Sequence, residues 1–243
     1  RNIWTVGYDP NCPGDTSKPL NRQRLQKIYE KVYGGSSRKV LNLNNFKVGT
    51  SESASLNLDE LIYNCSTAEA GGDYGHAKNE KLVNFVRGYD SYGEDPGEIR
   101  QSLLGDTFHS DLVYVGAPDG SLSSSNSKTE AYFRNANGYK AFKETNQNRS
   151  GRLYVGANDG MLHAFDKNLN EVWAFIPPSI LPKLRGLVGE SGKSNTQWLV
   201  DGPIIVKDVY INATSEWKTL LVGGLGWGGN GYYVLDITDA FNP

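Results

Sequence analysis

The side chains best suited to chemistry in this sequence lie in Gly105–Ser110 (GDTFHS), where Asp106, His109 and Ser110 supply the three residue types of a nucleophilic triad. A triad needs its members to converge with a defined geometry, which neighbours in sequence rarely reach, and no Gly-x-Ser-x-Gly elbow accompanies them. His109 and Ser110 therefore read as a hydrogen-bonded pair where a strand begins. His163 alternates with Leu162 and Ala164 and reads as a core or axial-channel histidine, while His76 sits in a Gly-rich loop with no partner spacing. No catalytic residue is assigned.

Metal and phosphate readings fare no better. Asp166-x-Asn168-x-Asn170-Glu171 starts like an EF-hand loop, but the sixth position is not Gly and Pro177 stands where the bidentate Glu belongs. It reads as a polar turn, and no metal ligand is assigned. Leu225–Gly231 (LGWGGNG) imitates a phosphate-binding glycine loop, yet it lacks the following Lys-Ser/Thr and precedes a strand. Cys12 and Cys65 are 53 residues apart and fit no compact zinc pattern; in an oxidising compartment they can pair. Trp173, Trp198, Trp217 and Trp227 fall at strand-like positions that suit wedges between sheets. Trp227 differs in standing among Gly226, Gly228 and Gly229. That loop is able to expose an indole, so Trp227, Gly228 and Gly229 are the candidate partner-contact loop. Asp201-Gly202-Pro203 reads as a turn cap followed by an edge strand.

The elements that must position these residues follow from composition. The 243 residues include 28 Gly, 10 Pro, 14 Tyr and 5 Trp, the profile of short strands and tight turns rather than of a helical bundle. A formal charge of −2 leaves no electrostatic footprint for nucleic acid. No apolar run approaches the ~18 residues of a membrane-spanning helix. The chain opens at Arg1 with neither a start Met nor a signal peptide, which reads as a processed product or a fragment.

Residues 1–80 form one region: a β-prone run (RNIWTVGY), then loops and helices. Asn21–Tyr33 carries Leu25, Ile28, Tyr29 and Val32 on one helical face, and Asn57–Cys65 suggests a second helix. Residues 81–243 form the other region. It opens with a short helix over Lys81–Tyr89 bearing Leu82, Phe85 and Val86, and then turns to strands. Val-Gly-Ala-x-Asp-Gly falls at Val115–Gly120 and again 40 residues later at Val155–Gly160, with a looser copy at Val222-Gly223. Forty residues is a propeller-blade period. Asp119-Gly120 and Asp159-Gly160 read as hairpin turns, and the two copies are expected at equivalent positions in adjacent four-stranded blades. The fold class is mainly β: a partial β-propeller of about three recognisable blades, preceded by a small helical and loop segment.

Ala164-Phe165-Asp166, a turn, and Trp173 resemble a quinoprotein-like blade. Val83–Arg87 (VNFVR), Leu104–Ser110 (LGDTFHS), Tyr154–Phe165 (YVGANDGMLHAF), Trp173–Pro177 (WAFIP) and Leu221–Ile237 (LVGGLGWGGNGYYVLDI) follow in that order. The combination resembles the C-terminal β-propeller of the PilY/PilC family of type IV pilus-tip and biogenesis proteins, over residues 82 to 240.

The resemblance implies a secreted, extracellular, non-enzymatic factor acting in adhesion and in the balance of pilus extension and retraction. Its partners would be pilins or other pilus components, host or abiotic surfaces, and the remainder of the propeller. No cofactor is expected in this segment, and the family's calcium loop would lie beyond Pro243. An extracellular setting would favour a Cys12–Cys65 disulfide. The alternative is a fragment of a quinone-dependent dehydrogenase propeller, whose cofactor floor, axial calcium ligands and vicinal disulfide have no counterpart in the sequence. Three repeats cannot close a ring of four to eight blades, so a second chain or further residues are expected to complete it. Arg1–Thr5 is the candidate strand for fastening the missing final blade.

Overall fold

Short alternating apolar runs flanked by Gly, Pro and Asx residues build the strands of this fold. A computed structural model describes residues 3–6, 38–40, 82, 84–92, 97–177, 179–188 and 195–243. The strands are β1 (Ile3–Val6), β2 (Arg38–Val40), β3 (Val113–Val115), β4 (Arg152–Gly156), β5 (Leu162–Phe165), β6 (Glu171–Phe175), β7 (Ile204–Ile211), β8 (Glu216–Gly224) and β9 (Tyr232–Asp236). They form one sheet in the order β2-β1-β6-β5-β4-β3 and a second in the order β7-β8-β9. Neighbours are antiparallel except β1 and β6, which run parallel. This is the mainly β, open, partial propeller expected. The helix expected over Lys81–Tyr89 appears as helical residues 84–87, with Leu82, Phe85 and Val86 buried. The expected helices over 21–33 and 57–65, the Cys12–Cys65 pair and His76 lie outside the described residues.

The blade count and the phase of the repeat need correction. β3 pairs with β4 through Val113↔Tyr154 and Val115↔Arg152, so the two Val-Gly-Ala-x-Asp-Gly copies are neighbours within one sheet. The 40-residue spacing measures an insertion between those two strands, which holds α1 (Glu130–Ala136) and α2 (Tyr139–Thr145). The repeat that matters relates β4 to β8, where Val155-Gly156 and Val222-Gly223 each close the second strand of a sheet. Two blade-like sheets are therefore present among the described residues. Asp159-Gly160 does turn a hairpin: Ala157 N donates to Met161 O at 2.9 Å, and Gly160 has φ +92°. Asp119-Gly120 does not, because the chain leaves β3 for α1, and Gly120 N donates to Tyr139 Oη at 3.2 Å. β1 lies on the first sheet, with Ile3 opposite Ala174, and not on a final blade.

One buried core joins the two sheets. Tyr154, Ala164 and Trp173 stand opposite one another across β4, β5 and β6, and the Trp173 indole donates to Ala240 O beyond β9 at 3.1 Å. Phe175 meets Tyr233 at 5.8 Å between ring centroids. Trp173 is thus the buried wedge between the sheets, whereas Trp217 is buried elsewhere. Trp217 lies under the inserted helices, 4.7 Å from the Tyr139 ring, and donates to Asn137 O at 2.8 Å. On the opposite face of the second sheet, Ile205, Val222 and Val234 form an exposed apolar row in register across all three strands.

His163 is core, as its alternation suggested, and is fully buried. Its Nδ1 lies 2.9 Å from Glu171 Oε2 on β6, its Nε2 lies 3.0 Å from Asp159 Oδ1 on the β4–β5 turn, and its ring stacks on Phe165. Burial opposes the imidazolium, but the two carboxylates outweigh it and push the pKa up to about 9 from an ordinary 6.5. A raised folded pKa contributes stability in full below about pH 6.5, and that contribution is lost as pH climbs through about 9. At 1.36 kcal/mol per unit this is roughly 3 kcal/mol. Melting followed from pH 6 to pH 10 should therefore fall across that window in the wild type. In His163→Gln the fall should be absent from a lower starting temperature. An equal fall in both proteins would show that His163 folds uncharged.

Candidate functional site

In a stack of antiparallel sheets, the start of the first strand and the turn between the second and third strands fall at the same end. Residues 106–110 before β3, 198–201 before β7, the β4–β5 turn and the 3₁₀ turn Gly226–Gly228 between β8 and β9 therefore meet. The sheets touch closely there: a Cβ on Gly156 would lie 2.3 Å from Val200 O.

Asp201 occupies the centre. Its side chain is 1% exposed, and its two oxygens accept four hydrogen bonds, all from the first sheet's side. Oδ1 accepts from His109 N at 2.8 Å and Ser110 N at 3.1 Å; Oδ2 meets His109 Nδ1 at 3.0 Å and accepts from Asn158 Nδ2 at 3.2 Å. Burial opposes the charge, but these donors prevail and hold the carboxyl below the usual range. Asp201 thus caps the start of β3 rather than a turn of its own. Asn158, also buried, donates to Asp106 Oδ2 at 2.9 Å and accepts from Leu199 N at 2.9 Å.

His109 is bound to Asp201, but Ser110 does not complete a triad with them. Ser110 Oγ accepts from Gly156 N at 2.8 Å, and Asp106 faces Asn158. His109 and Ser110 are the hydrogen-bonded pair expected, with a partner 91 to 92 residues away that the sequence did not indicate. Asp201 and Ser110 each stand three residues before the first strand of a sheet. With the blades counted in the right phase, that equivalence was the available signal.

Around His109 stands an aromatic cluster: Phe108 at 4.5 Å, Trp198 at 5.6 Å and Trp227 at 5.8 Å between ring centroids, with Trp198 and Trp227 5.2 Å apart. Trp227 is 74% exposed, Phe108 72% and Trp198 39%, so Trp198 and Trp227 are not wedges. The glycines explain the projection of Trp227. A Cβ on Gly228 would fall 1.7 Å from Leu199 O, and Lys183 Nζ donates to Gly228 O. The loop backbone is pinned against residue 199, which leaves its one large side chain outside.

A cavity of about 230 Å³ lies between the helical residues 84–87, segment 100–106 and the β4–β5 turn, sharing Asp106 and Asn158 with the Asp201 network. Arg100, Asp106, Asn158 and Asp159 supply polar walls and Val86 and Leu104 apolar ones. Among the described residues, no three His, Cys, Asp or Glu side chains gather as a metal ion would require. Asp166 accepts from Asn168 N at 2.8 Å and Asn170 N at 2.9 Å, the polar turn expected there.

The family model described as the PilY1 beta-propeller domain matches residues 104–243. A type IV pilus biogenesis factor PilY1 homolog of Xylella fastidiosa is 42% identical over 164 residues, 66% of this chain and 13% of that protein. The type IV pilus biogenesis factor PilY1 of Pseudomonas aeruginosa strain PAK is 34% identical over 250 residues, 96% of this chain and 21% of that protein. The chain thus spans at most about a fifth of these relatives. The crystal structure of the Pseudomonas aeruginosa PilY1 C-terminal domain is 42% identical over 43% of this chain and 19% of that chain, with a TM-score of 0.34.

Replacing Gly228 with Ala drives a methyl group into the Leu199 carbonyl, so the loop must lift and carry Trp227 away from Trp198. Tryptophan emission should shift as the two indoles separate. The melting temperature should fall by several degrees, a cost of about 1–3 kcal/mol. Wild-type emission and melting in this variant would refute the pinned loop.

Proposed function

The chain belongs to the PilY1 β-propeller family, and from that premise we propose that it is a non-catalytic scaffold segment of a type IV pilus biogenesis factor. In this reading it acts at the cell surface, holds no cofactor of its own, and has pilus components and the remainder of the propeller as partners. The observation that carries the proposal is the family match over residues 104–243. The site agrees with it chemically. His109 is tied to Asp201 while Ser110 Oγ accepts from the Gly156 amide, so these two side chains are not paired as base and nucleophile. What the end of the two sheets offers instead is a pinned aromatic surface with Trp227 foremost. We assign that surface to attachment, as an adhesin would use it, with extension and retraction of the filament as the process served. No helix among the described residues is long and apolar enough to cross a membrane.

In-frame removal of residues 104–243 from the full-length protein tests the biogenesis reading. Surface pili counted by electron microscopy should drop sharply and return with the intact gene. Normal piliation in the deletion strain would overturn it. Trp227→Ala should leave pilus number unchanged while reducing adhesion of the bacteria to a surface; unchanged adhesion would remove the attachment role.

A further inference from the structure

The cavity beside the aromatic cluster has a composition that selects a ligand class. At about 230 Å³ it is smaller than the roughly 300–1,000 Å³ of sites that take drug-sized molecules, which suits a single ring-sized group. Asp159 shares His163 with Glu171, at 3.0 Å and 2.9 Å, and the other ionic side chains of the lining are one cation, Arg100, and one carboxylate, Asp106, so both signs are present. Arg100 lies over the Phe85 ring at 4.0 Å and donates to Phe85 O at 3.0 Å. A strongly charged ligand would meet an opposing charge whichever sign it carried.

What the walls offer is hydrogen bonding to neutral groups. The second Asp106 oxygen and the hydroxyls of Ser102 and Thr196 belong to residues that line the cavity and have no side-chain hydrogen bond among the described residues, while Asn158 is already engaged on three sides. Carboxylate and hydroxyl groups beside Leu104 and Val86 match a ring that carries hydroxyls on its edge and C–H groups on its face. The two lining segments lead directly outward, from Asp106 to Phe108 and from Thr196 to Trp198, where exposed aromatic faces give further C–H surfaces a platform.

We propose that this cavity binds one ring of a neutral carbohydrate, and that the adjoining ring rests on Phe108, Trp198 and Trp227. The proposal deepens the attachment part of the reading above and rests on it. It makes no demand on filament assembly, so piliation and sugar binding fail separately.

The test uses the purified chain with the methyl glycosides of glucose, galactose, mannose and N-acetylglucosamine, and with maltose and lactose. Binding is followed by saturation-transfer NMR and by tryptophan fluorescence. At least one neutral glycoside should bind saturably. Asp106→Asn should weaken it about tenfold, as loss of one charge-assisted hydrogen bond does. Thr196→Val, at an exposed hydroxyl outside the Asn158 network, should weaken it with wild-type melting. Trp198→Ala should weaken disaccharides and spare monosaccharides. The proposal is overturned if no neutral glycoside binds or if both cavity variants bind as the wild type does. Tighter binding of N-acetylneuraminic acid than of every neutral glycoside would overturn it as well.

Discussion

A single buried carboxylate holds the two sheets in phase at the end where their loops converge. Asp201 comes from the segment before β7, yet all four of its hydrogen bonds come from the segment before β3 and from the β4–β5 turn. Apolar contact between sheets is permissive about sliding, because one aliphatic surface fits another in several registers. A buried anion is not permissive. Moving it by one residue would leave a desolvated charge without donors, at a cost of several kcal/mol. The close backbone approach at Gly156, the pinning of Gly228 and the placement of His109 all follow from that fixed phase.

The far end is held differently. Arg149, on the approach to β4, donates through Nε to Gly116 O at 2.8 Å and through Nη1 to Thr219 Oγ1 at 2.6 Å; Thr219 donates in turn to Asp208 Oδ1 at 2.6 Å. Tyr139 of α2 donates to the other oxygen of Asp208. Burial pulls the Arg149 pKa down and the nearby Asp208 carboxylate opposes that pull, with Thr219 bridging the two. The helical insertion therefore interrupts the first sheet but is fastened to the second, by Tyr139 and by Trp217. Its length is also what set the misleading 40-residue spacing.

That spacing marks where the sequence was legible and where it was not. Strand identity, the Asp159-Gly160 hairpin, the buried His163 and the wedge role of Trp173 follow from alternation and turn chemistry, which are local. The phase of the repeat is not local. β3 and β4 are both apolar strands ending in Val-Gly, so the motif alone cannot tell two strands of one blade from one strand in each of two blades. The same gap hid Asp201. Asp-Gly-Pro has an adequate local explanation as a turn, and only the tertiary placement of residues 109 and 110 reveals which amides the carboxylate serves. Trp198 and Trp227 depart from the wedge role for a related reason. Large aromatics favour burial on average, and the exposure of Trp227 here follows from a carbonyl, Leu199 O, that leaves no room for a side chain at Gly228.

The two exposed apolar regions of the structure call for different partners, and geometry separates them. Ile205, Val222 and Val234 lie in register on a sheet face, one from each strand. A flat row of aliphatic side chains is complementary to another sheet packed about 10 Å away, the contact that adjoining blades make. The cluster of Phe108, His109, Trp198 and Trp227 lies at the end of the sheets instead, with its rings tilted 34° to 87° to one another. Such rings leave no plane for a sheet to cover. They are bounded by Asp106, an exposed carboxylate that a dry blade-to-blade contact would have to desolvate. Face-to-face stacking of a further sheet thus suits the first region and leaves the second open.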